Sequence, residues 1–355
     1  MSKLRLIELF SGIGAQASAL ERLGVDFEHW ITSEWEVNAV ASYNAIHIKD
    51  YTDYSKTLTT EWLAKYLYNI GVSTDGKNPM TLAQIERKGE KWLRETYSNF
   101  IATHNIGSVV TAHGEDLEIE ETDKYTYILF YSFPCQDLSV AGNQKGMSRG
   151  SGTRSGLLWE VERLLNECDE LPQVLVMENV PQVHGKKFIK DFESWLDSLS
   201  KLGYKNYWQD LNSKNYGVAQ NRNRTFLVSF LDDVNFTFPE PFPLTKTMAD
   251  YLEDEVDEKY YIDNEKAQEL IRKLIISGEL TKAEQTDRQT IDRQTDRQTD
   301  RQTDRQTVDF SLKDAGKTPI ANCICARYDK GVTNRAHEGS CVLEMRSEDG
   351  SKETR

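Results

Sequence analysis

The chain has 355 residues, 38% of them hydrophobic, which is enough for one large core or for one large and one small domain. No apolar run approaches the roughly 20 residues of a membrane-spanning helix, and the first residues run directly into a predicted strand, so neither a membrane segment nor a signal peptide is expected. The net charge of −14 argues against a general polyanion binder, although an acidic body can carry a locally basic cleft.

The N-terminal stretch predicts the first unit of a parallel α/β sheet. The apolar run LRLIELF leads into the glycine turn SGIGA and then into QASALERLG, which has helical spacing and ends at a glycine. FEHWITSEW predicts a second strand that ends at Glu34, and VNAVASYNAI predicts a helix. Residues 55–105 contain two longer helical patterns and predict an inserted pair of helices.

Four more strands are predicted further along the chain. SVVTAHGEDL predicts a strand that ends at Asp116, and YTYILFYSF, QVLVMENV and RTFLVSFL predict the other three. Because these strands alternate with helical segments, the fold class is α/β with a mostly parallel sheet.

The composition changes after Phe242, where the chain becomes highly charged. Residues 284–308 hold a nearly perfect Thr-Asp-Arg-Gln repeat whose regularity is interrupted only by Ile291. A segment this polar cannot build a core, so we expect a disordered linker. Each unit can be encoded by the tetranucleotide ACAG read in successive frames, so polymerase slippage would shift the reading frame. The tract is therefore either a genetic length switch or an inert linker.

The turn in YSFPCQDLSVAG places Cys135 directly after a strand that a proline ends. Pro134 fixes its own φ and keeps Phe133 extended, so the next side chain is presented at the carboxyl edge of the sheet. Ligands bind at that edge in open parallel sheets. Cys135 is therefore a candidate nucleophile, and the alternative is a small buried hydrophobic residue.

Two further segments carry candidate functional groups. Glu178 and Asn179 end another apolar strand, where the carboxylate is either a helix cap or an acid held at the same edge. Gln220, Arg222 and Arg224 precede or enter the late strand, and alternation predicts that both arginines share one face; the alternative is a solvated basic face. A thiol, a carboxyl and an arginine together suit attack on an electron-poor heteroaromatic ring, which then accepts a methyl group at the neighbouring carbon.

Four motifs in this order, LIELFSGIGAQASAL, YSFPCQDLSVAG, VMENV and AQNRNRTFLV, resemble the cytosine-C5 DNA methyltransferase family. The resemblance covers roughly residues 4–240. It implies a Rossmann-like catalytic domain at 1–240, with helices on both faces of the sheet and the insertion at 55–105. It also implies a connector at 241–283 that starts the recognition region, followed by the repeat at 284–308 and a small, incomplete target-recognition region at 309–355.

The resemblance implies S-adenosylmethionine as the cofactor. In the family the glycine turn approaches the cofactor, an acid binds the ribose hydroxyls, an aromatic residue stacks on the adenine and a second acid takes the adenine amino group. The corresponding residues here are Phe10, Gly12 and Gly14 for the turn, Glu34, Trp35 and Asp116 for the next three roles, and Pro134 and Leu157 nearby. From its residue type alone, Trp35 could equally be a core aromatic.

The resemblance also implies the catalytic roles. Cys135 matches the nucleophile on cytosine C6, Glu178 the residue that holds N3 and the exocyclic amine, and Arg224 the contact to O2, with Arg222 in support. The substrate-binding residues implied by the same motifs are Gln136, Ser139, Asn179 and Gln220.

The family flips its target base out of the duplex, and a mobile loop then closes over the base. In this chain the loop would follow Gly142 and carry Lys145, Arg149 and Arg154, a composition that suits a basic lid on phosphates. Double-stranded DNA is the expected partner, and Ser139 is expected to contact its backbone. The expected setting is either a restriction-modification system with a companion endonuclease or an orphan modification system, and a monomeric state is also expected.

Five cysteines without paired spacing predict thiols in the cytoplasm, and Cys323 and Cys325 lack metal-site spacing, so no metal is expected. The family's last motif, a helix and an asparagine turn beside the first motif, has no match here. The sequence therefore predicts a truncated chain with exposed apolar surface near its first helix, and a catalytically silent product is one alternative function. An RNA cytosine-C5 methyltransferase is another, whereas a nicotinamide dehydrogenase does not explain the motifs together.

Overall fold

The computed structural model describes residues 3–138 and 145–251, together with single positions at 269, 272, 273 and 276 and residue pairs at 307–308, 321–322 and 343–344. The chain divides into two compact units. The first consists of Met1–Leu211 and Asn223–Pro239, and the second of Asn212–Arg222 and Glu240–Arg355. Among the described residues, no helix combines the length and the apolar character that a membrane crossing requires.

A six-stranded sheet forms the centre of the first unit, with strand order β2-β1-β3-β4-β7-β5. Strand β1 pairs in parallel with β2 and β3, β3 pairs in parallel with β4, and β7 runs antiparallel to β4. The predicted mostly parallel α/β sheet is therefore confirmed. The strands of this sheet are β1 Lys3–Leu9, β2 Phe27–Ser33, β3 Tyr125–Tyr131, β4 Val174–Asn179, β5 Lys205–Asn212 and β7 Asn223–Phe230, and the short strand β6 Gln220–Asn221 lies outside it.

Helices cover both faces of this sheet because successive strand residues point to opposite sides. In β3, Tyr127 and Leu129 enter the main core beneath α6 and α7, whereas Ile128 and Phe130 pack towards α1 and α2. The helices of the described residues are α1 Ala15–Arg22, α2 Val37–Tyr43, α3 Thr60–Asn69, α4 Leu82–Glu86, α5 Glu90–Ala102, α6 Leu158–Glu167 and α7 Ile189–Lys201.

The insertion contains three helices rather than the predicted pair. The run that was interpreted as one helix is divided into α4 and α5 because Thr81 and Gln84 form a capping box at its start and Gly89, at φ 84°, separates the two helices. The insertion has its own hydrophobic cluster, which includes Leu63 and Phe100.

The predicted strand ending at Asp116 is wrong. Only Asn105, just before this segment, forms a bridge with β2, and residues 108–117 are turns followed by the 3₁₀ helix Gly114–Leu117. Gly107 turns the chain at φ 78°, and the Ser108 carbonyl then accepts local main-chain hydrogen bonds. Arg163 donates to the carbonyls of Val109 and Ala112 at 2.9 Å, so these carbonyls bind a side chain rather than a neighbouring β-strand.

The surface beside the first helix exposes apolar side chains, as expected from the sequence. The exposed residues are Ile13, Leu23, Val25 and Ile46. The repeat and the segment after it lie outside the described residues except for their short pairs, in which β8 Thr307–Val308 runs antiparallel to β10 Leu343–Glu344 and β9 Ala321–Asn322 pairs with β6. Predictions about those segments therefore stay predictions.

Candidate active site and cofactor pocket

The ends of β3 and β4 are joined at the carboxyl edge of the sheet by Asn179. Its side-chain amide donates to the Phe133 carbonyl at 2.9 Å and accepts from the Val180 amide at 2.8 Å, and the residue is only 2% exposed. Asn179 therefore fixes the backbone just ahead of Pro134 relative to Glu178. These hydrogen bonds give Asn179 a positioning role, and its predicted contact with the substrate stays a prediction.

Two residues that the sequence did not single out hold the Pro134–Cys135 turn. The Ser155 hydroxyl donates to the Pro134 carbonyl at 2.6 Å, and the buried Asp137 carboxylate accepts from the Arg154 amide at 2.9 Å. Cys135 itself is half-buried. The only sequence signal for Asp137 was an acid directly after the turn, and its partners lie 17 and 18 residues further along the chain.

Glu178 and Arg224 meet as an ion pair, with 2.9 Å between the Arg224 Nε and a Glu178 carboxylate oxygen. Their side chains are 25% and 19% exposed. In the antiparallel pairing of β4 with β7, Glu178 lies opposite Phe226, so Arg224 is two residues away on the same face. The sequence assigned a thiol, a carboxyl and an arginine to one site. The structure brings the carboxyl of Glu178 and the guanidinium of Arg224 together, and it places Cys135 just after the end of β3, the strand beside β4.

Arg222 does not share a strand with Arg224, so the alternation argument for these two arginines is wrong. Strand β7 begins only at Asn223, and the Arg222 amide makes a tight turn with the Gln220 carbonyl at 3.0 Å. Gln220 lies in β6 of the second unit, where it pairs with Ala321. The turn breaks the period-two pattern, and the predicted roles of Arg222 and Gln220 stay predictions.

The turn after β1 holds three residues in left-handed conformations, at φ 58° for Phe10, 53° for Gly12 and 82° for Gly14. A Cβ on Gly14 would lie 2.4 Å from the His47 Nε2, so this glycine is required by packing within the protein. A Cβ on Gly12 would meet nothing within 4 Å, so open space lies beside the Gly12 backbone. Gly12 therefore offers the close backbone approach that a ligand needs.

The Glu34 carboxylate binds the same turn. It accepts from the Gly12 amide at 3.0 Å and from the Glu36 amide at 2.8 Å. Burial raises the pKa of Glu34, and these main-chain donors partly counter the effect. The Trp35 amide is a third main-chain donor to this carboxylate. A carboxylate has about four acceptor positions, so Glu34 retains capacity for a ligand hydroxyl. The half-buried Trp35 follows it, with its carbonyl bound by the Ser73 amide at 2.7 Å.

Two buried polar atoms near this turn have no hydrogen-bond partner, namely the Ser11 Oγ and the Asn105 Nδ2. Ser11 lies between Phe10 and Gly12, and the Asn105 Oδ1 accepts from the Glu34 amide at 3.4 Å. Unpaired buried polar atoms are uncommon and indicate a missing partner such as a ligand or water. Together with the space beside Gly12, they fit a ligand rich in hydroxyl and amino groups, as S-adenosylmethionine is.

Helix α6 fixes the turn that carries Asp116. Arg163 donates to two carbonyls of this turn, and Glu167 accepts from the Gly114 amide at 2.9 Å. The Asp116 carboxylate in turn accepts from the His113 amide at 2.7 Å. Leu157 directly precedes α6, so one helix supports both of these predicted cofactor residues.

Two of the three basic residues of the predicted lid, Arg149 and Arg154, have protein partners. Arg149 pairs with Glu162 and lies 3.8 Å above the Trp159 ring, and the Arg154 guanidinium donates to the Gly76 carbonyl. Ser139 lies outside the described residues, as do the five residues that follow it. Contact of the lid with DNA stays a prediction.

Comparison with known families decides the class of this chain. The model of a family described as "C-5 cytosine-specific DNA methylase" matches residues 4–65 and 73–341. The chain belongs to this family. The match extends across the repeat and into the region after it, where the sequence predicted part of a recognition region. The predicted enzyme class is thereby confirmed at the level of the family.

Two curated members of this DNA methylase family show the same relationship. The orphan methyltransferase M.SssI of Spiroplasma monobiae is 39% identical over 266 residues, which are 74% of this chain and 68% of that protein. The type II methyltransferase M2.ScrFI of Lactococcus lactis subsp. cremoris is 38% identical over 264 residues, which are 74% of this chain and 71% of that protein. The chain is also similar to the crystal structure of the S. pombe Dnmt2 methyltransferase, with a TM-score of 0.46 and 17% identity, covering 75% of this chain and 64% of that one.

Proposed function

We propose that this protein transfers a methyl group from S-adenosylmethionine to C5 of a cytosine flipped out of double-stranded DNA. The observation that carries the proposal is the 2.9 Å ion pair between Glu178 and Arg224. Glu178 lies on β4, and Asn179 at the end of the same strand joins it to the Cys135 turn. A nucleophile, an acid and a cation at one sheet edge match C6, N3 and O2 of the cytosine ring. Membership of the family supplies the substrate class.

In this reaction the Cys135 thiolate adds to C6 of the cytosine, and the ring electrons shift so that C5 becomes nucleophilic. C5 takes the methyl group and then loses its proton to a solvent base. The bond between the Cys135 sulfur and C6 breaks as the double bond between C5 and C6 forms again. The thiolate is regenerated, so the residue acts in every cycle.

Glu178 and Arg224 act on the polar edge of the same ring. Once the base is bound, Glu178 shares a proton with N3 and stabilises the charge that develops as the thiolate adds. Arg224 donates to O2 and orients the carboxyl through their ion pair. Arg222 supports Arg224, and Gln136, Ser139, Asn179 and Gln220 bind the DNA around the base.

Bound S-adenosylmethionine would supply an electrophilic methyl group. The turn at Gly12 provides the close main-chain approach, Glu34 accepts from the ribose hydroxyls, and Trp35 stacks on the adenine. Asp116 accepts from the adenine amino group. The remaining residues of the proposed pocket are Phe10, Gly14, Pro134 and Leu157.

The biological setting belongs to the same proposal. The type II name of one relative supports a modification enzyme that works beside a restriction endonuclease, and the orphan name of another supports one that works alone. A monomeric state and a cytoplasmic location complete the proposal. A catalytically silent product and an RNA substrate are the alternatives that the test must separate.

The test is a covalent trap with duplex DNA containing 5-fluorocytosine, because fluorine at C5 cannot leave as the proton does. The wild-type protein should cross-link in the presence of S-adenosylmethionine, and Cys135→Ser should neither cross-link nor methylate while still binding DNA. Cys168→Ser is the matched control: burial raises the pKa of the Cys168 thiol to about 11, and its sulfur contacts the Leu164 carbonyl at 3.2 Å.

Methylation by Cys135→Ser would contradict the proposed chemistry. A wild-type chain that methylates neither duplex DNA nor RNA would favour the silent product, and methylation of RNA alone would favour the RNA enzyme.

A further inference from the structure

The His47 side chain lies between the first helix and the glycine turn. It projects from a π-helical turn, Asn44–Ile48, that extends α2, and its side chain has 0% exposure. The Nδ1 atom lies 2.9 Å from a carboxylate oxygen of Glu21 in α1, and the Nε2 atom lies 3.0 Å from the Ile13 carbonyl oxygen. The ring therefore bridges a helix and the turn.

Both partners of this ring are acceptors only. A carboxylate and a main-chain carbonyl cannot donate, so each hydrogen bond needs a proton on the ring nitrogen. The neutral imidazole carries one such proton and the imidazolium carries two. Only the charged form of His47 can make both hydrogen bonds at once.

The His47 ring lies among several ionisable groups, one of which is a second histidine. The His29 ring lies 5.8 Å from the His47 ring, and its Nδ1 is 2.8 Å from the Tyr43 hydroxyl, which donates to Glu8 at 2.6 Å. Burial, and then the charge on His47, lower the pKa of His29. The charged and titratable groups facing the site are Glu8 from β1, Glu21 from α1, His29 from β2, Tyr43 from α2 and, beyond His29, His104.

The ring also packs directly against the turn. Ile13 stands between Gly12 and Gly14, and a Cβ on Gly14 would collide with the Nε2 atom of His47. Gly14 begins α1, so a shift of the ring would move both the turn and the start of the helix. The proton on Nε2 is therefore coupled to the position of the Gly12 backbone, beside which the open space lies.

We propose that His47, as an imidazolium paired with Glu21, is a positioning residue that holds the glycine turn in its cofactor-binding conformation. The inference rests on the proposed function in taking S-adenosylmethionine as the ligand of this turn. A ring with a single proton can hydrogen-bond only one of the two acceptors, so loss of the donor to the Ile13 carbonyl should free the turn and weaken cofactor binding.

Two substitutions separate the two ring nitrogens. In His47→Gln the side-chain amide reaches the place of Nε2, so it can still donate to the Ile13 carbonyl and does not titrate. In His47→Asn the amide reaches only the place of Nδ1, so the Glu21 contact survives and the Ile13 contact is lost. His104→Asn is the control, because His104 is exposed at φ 46°, a conformation that asparagine tolerates.

The experiment measures S-adenosylmethionine affinity by calorimetry at neutral pH, alongside the ¹⁵N spectrum of the imidazoles. His47→Asn should bind the cofactor about tenfold more weakly than wild type, the effect of one charge-assisted hydrogen bond. His47→Gln and the control His104→Asn should stay within about twofold of wild type. The spectrum should show both His47 nitrogens protonated at neutral pH.

A singly protonated His47 at neutral pH, or a His47→Asn affinity equal to that of wild type, would overturn the inference and leave the proposed function standing. A His47→Gln affinity as low as that of His47→Asn would do the same, because restoring the donor to the Ile13 carbonyl would then have no effect. Wild-type protein that binds no S-adenosylmethionine at any pH would instead overturn the proposed function, and the positioning role with it. Thermal midpoints of all variants show whether each chain is folded.

Discussion

Two carboxylates at the carboxyl edge of the sheet have different surroundings, which assign them different behaviour. Glu178 faces the guanidinium of Arg224 at the end of β4. Glu34 directly follows β2 and faces the main-chain amides of Gly12 and Glu36. The first arrangement suits an acid that works beside a cation, and the second suits a fixed acceptor for a ligand hydroxyl.

Replacing Glu178 by glutamine should lower the methylation rate by about 10²-fold to 10⁴-fold, the usual size of a general acid–base contribution. Glutamine can hydrogen-bond the ring but cannot transfer a proton. Single-turnover methylation of a duplex gives the rate, and the thermal midpoint should change little. Glu28→Gln is the control, since Glu28 pairs with Arg5 at 3.3 Å near the start of the strands. A Glu178→Gln rate within a few-fold of wild type would make the residue a strand-end cap.

Protonation of Glu34 should weaken cofactor binding at acidic pH. The ribose hydroxyls need the ionised carboxylate, and burial raises the pKa of Glu34 above its ordinary value of 4.5. The affinity for S-adenosylmethionine should therefore begin to fall at a higher pH than an exposed glutamate would allow. The same raised pKa means that the stability contributed by protonated Glu34 is present at low pH and lost as the pH rises through that pKa.

Calorimetry at acidic pH tests this expectation. Glu34→Gln should bind S-adenosylmethionine about tenfold more weakly, and its affinity should not fall further as the pH is lowered. Affinity that stays constant down to the ordinary carboxyl pKa would contradict it.

At the scale of elements, helix α6 links the core of the first unit to the pocket. Arg163 on this helix pairs with Glu160 at 2.7 Å and Glu167 at 2.9 Å, and it also binds two carbonyls of the turn that carries Asp116. The turn has no strand neighbours in this stretch, so these hydrogen bonds are what hold Asp116 in place. In the strand that the sequence predicted, pairing with a neighbouring strand would have held Asp116 instead.

Arg163→Ala should therefore weaken S-adenosylmethionine binding as well as stability. The loss of hydrogen bonds from a charged donor should lower the free energy of unfolding by about 1–3 kcal/mol. Denaturant unfolding and calorimetry measure the two effects. Arg94→Ala is the matched control, because Arg94 binds the Ser55 and Leu58 carbonyls in the insertion at 2.7 and 3.4 Å. Equal losses of cofactor affinity in both variants would contradict a specific role for Arg163.

At the scale of the whole molecule, the Thr-Asp-Arg-Gln tract is predicted to be either a genetic length switch or an inert linker. If it is a genetic length switch, sequencing the locus in many single colonies should find alleles that differ by whole four-base units. The codons for β4 and β7 in the same gene are the control and should not vary. A tract of invariant length would contradict the switch. Removing one four-residue unit in frame should leave methylation unchanged in either case, because the reading frame is kept.

The sequence by itself determined the parts of this protein that depend on local backbone chemistry. Pro134 ends its strand through its own fixed φ, and the glycines after β1 accept conformations that other residues avoid. Alternating apolar residues mark the strands, so the α/β class, the carboxyl edge and the position of Cys135 could all be inferred without coordinates. The order of the motifs was enough to indicate the family.

Only the tertiary structure decided which groups meet and which segments form strands. Residues 108–117 are turns because Arg163, 54 residues beyond Val109, takes the carbonyls that a strand would use. His47 becomes a double donor because Glu21 and Ile13 approach it from 26 and 34 residues away. The positioning contacts of Asn179 and Asp137 likewise cross between chain segments. Hydrogen bonds between distant segments leave no period or spacing in the sequence, so the fold alone establishes them.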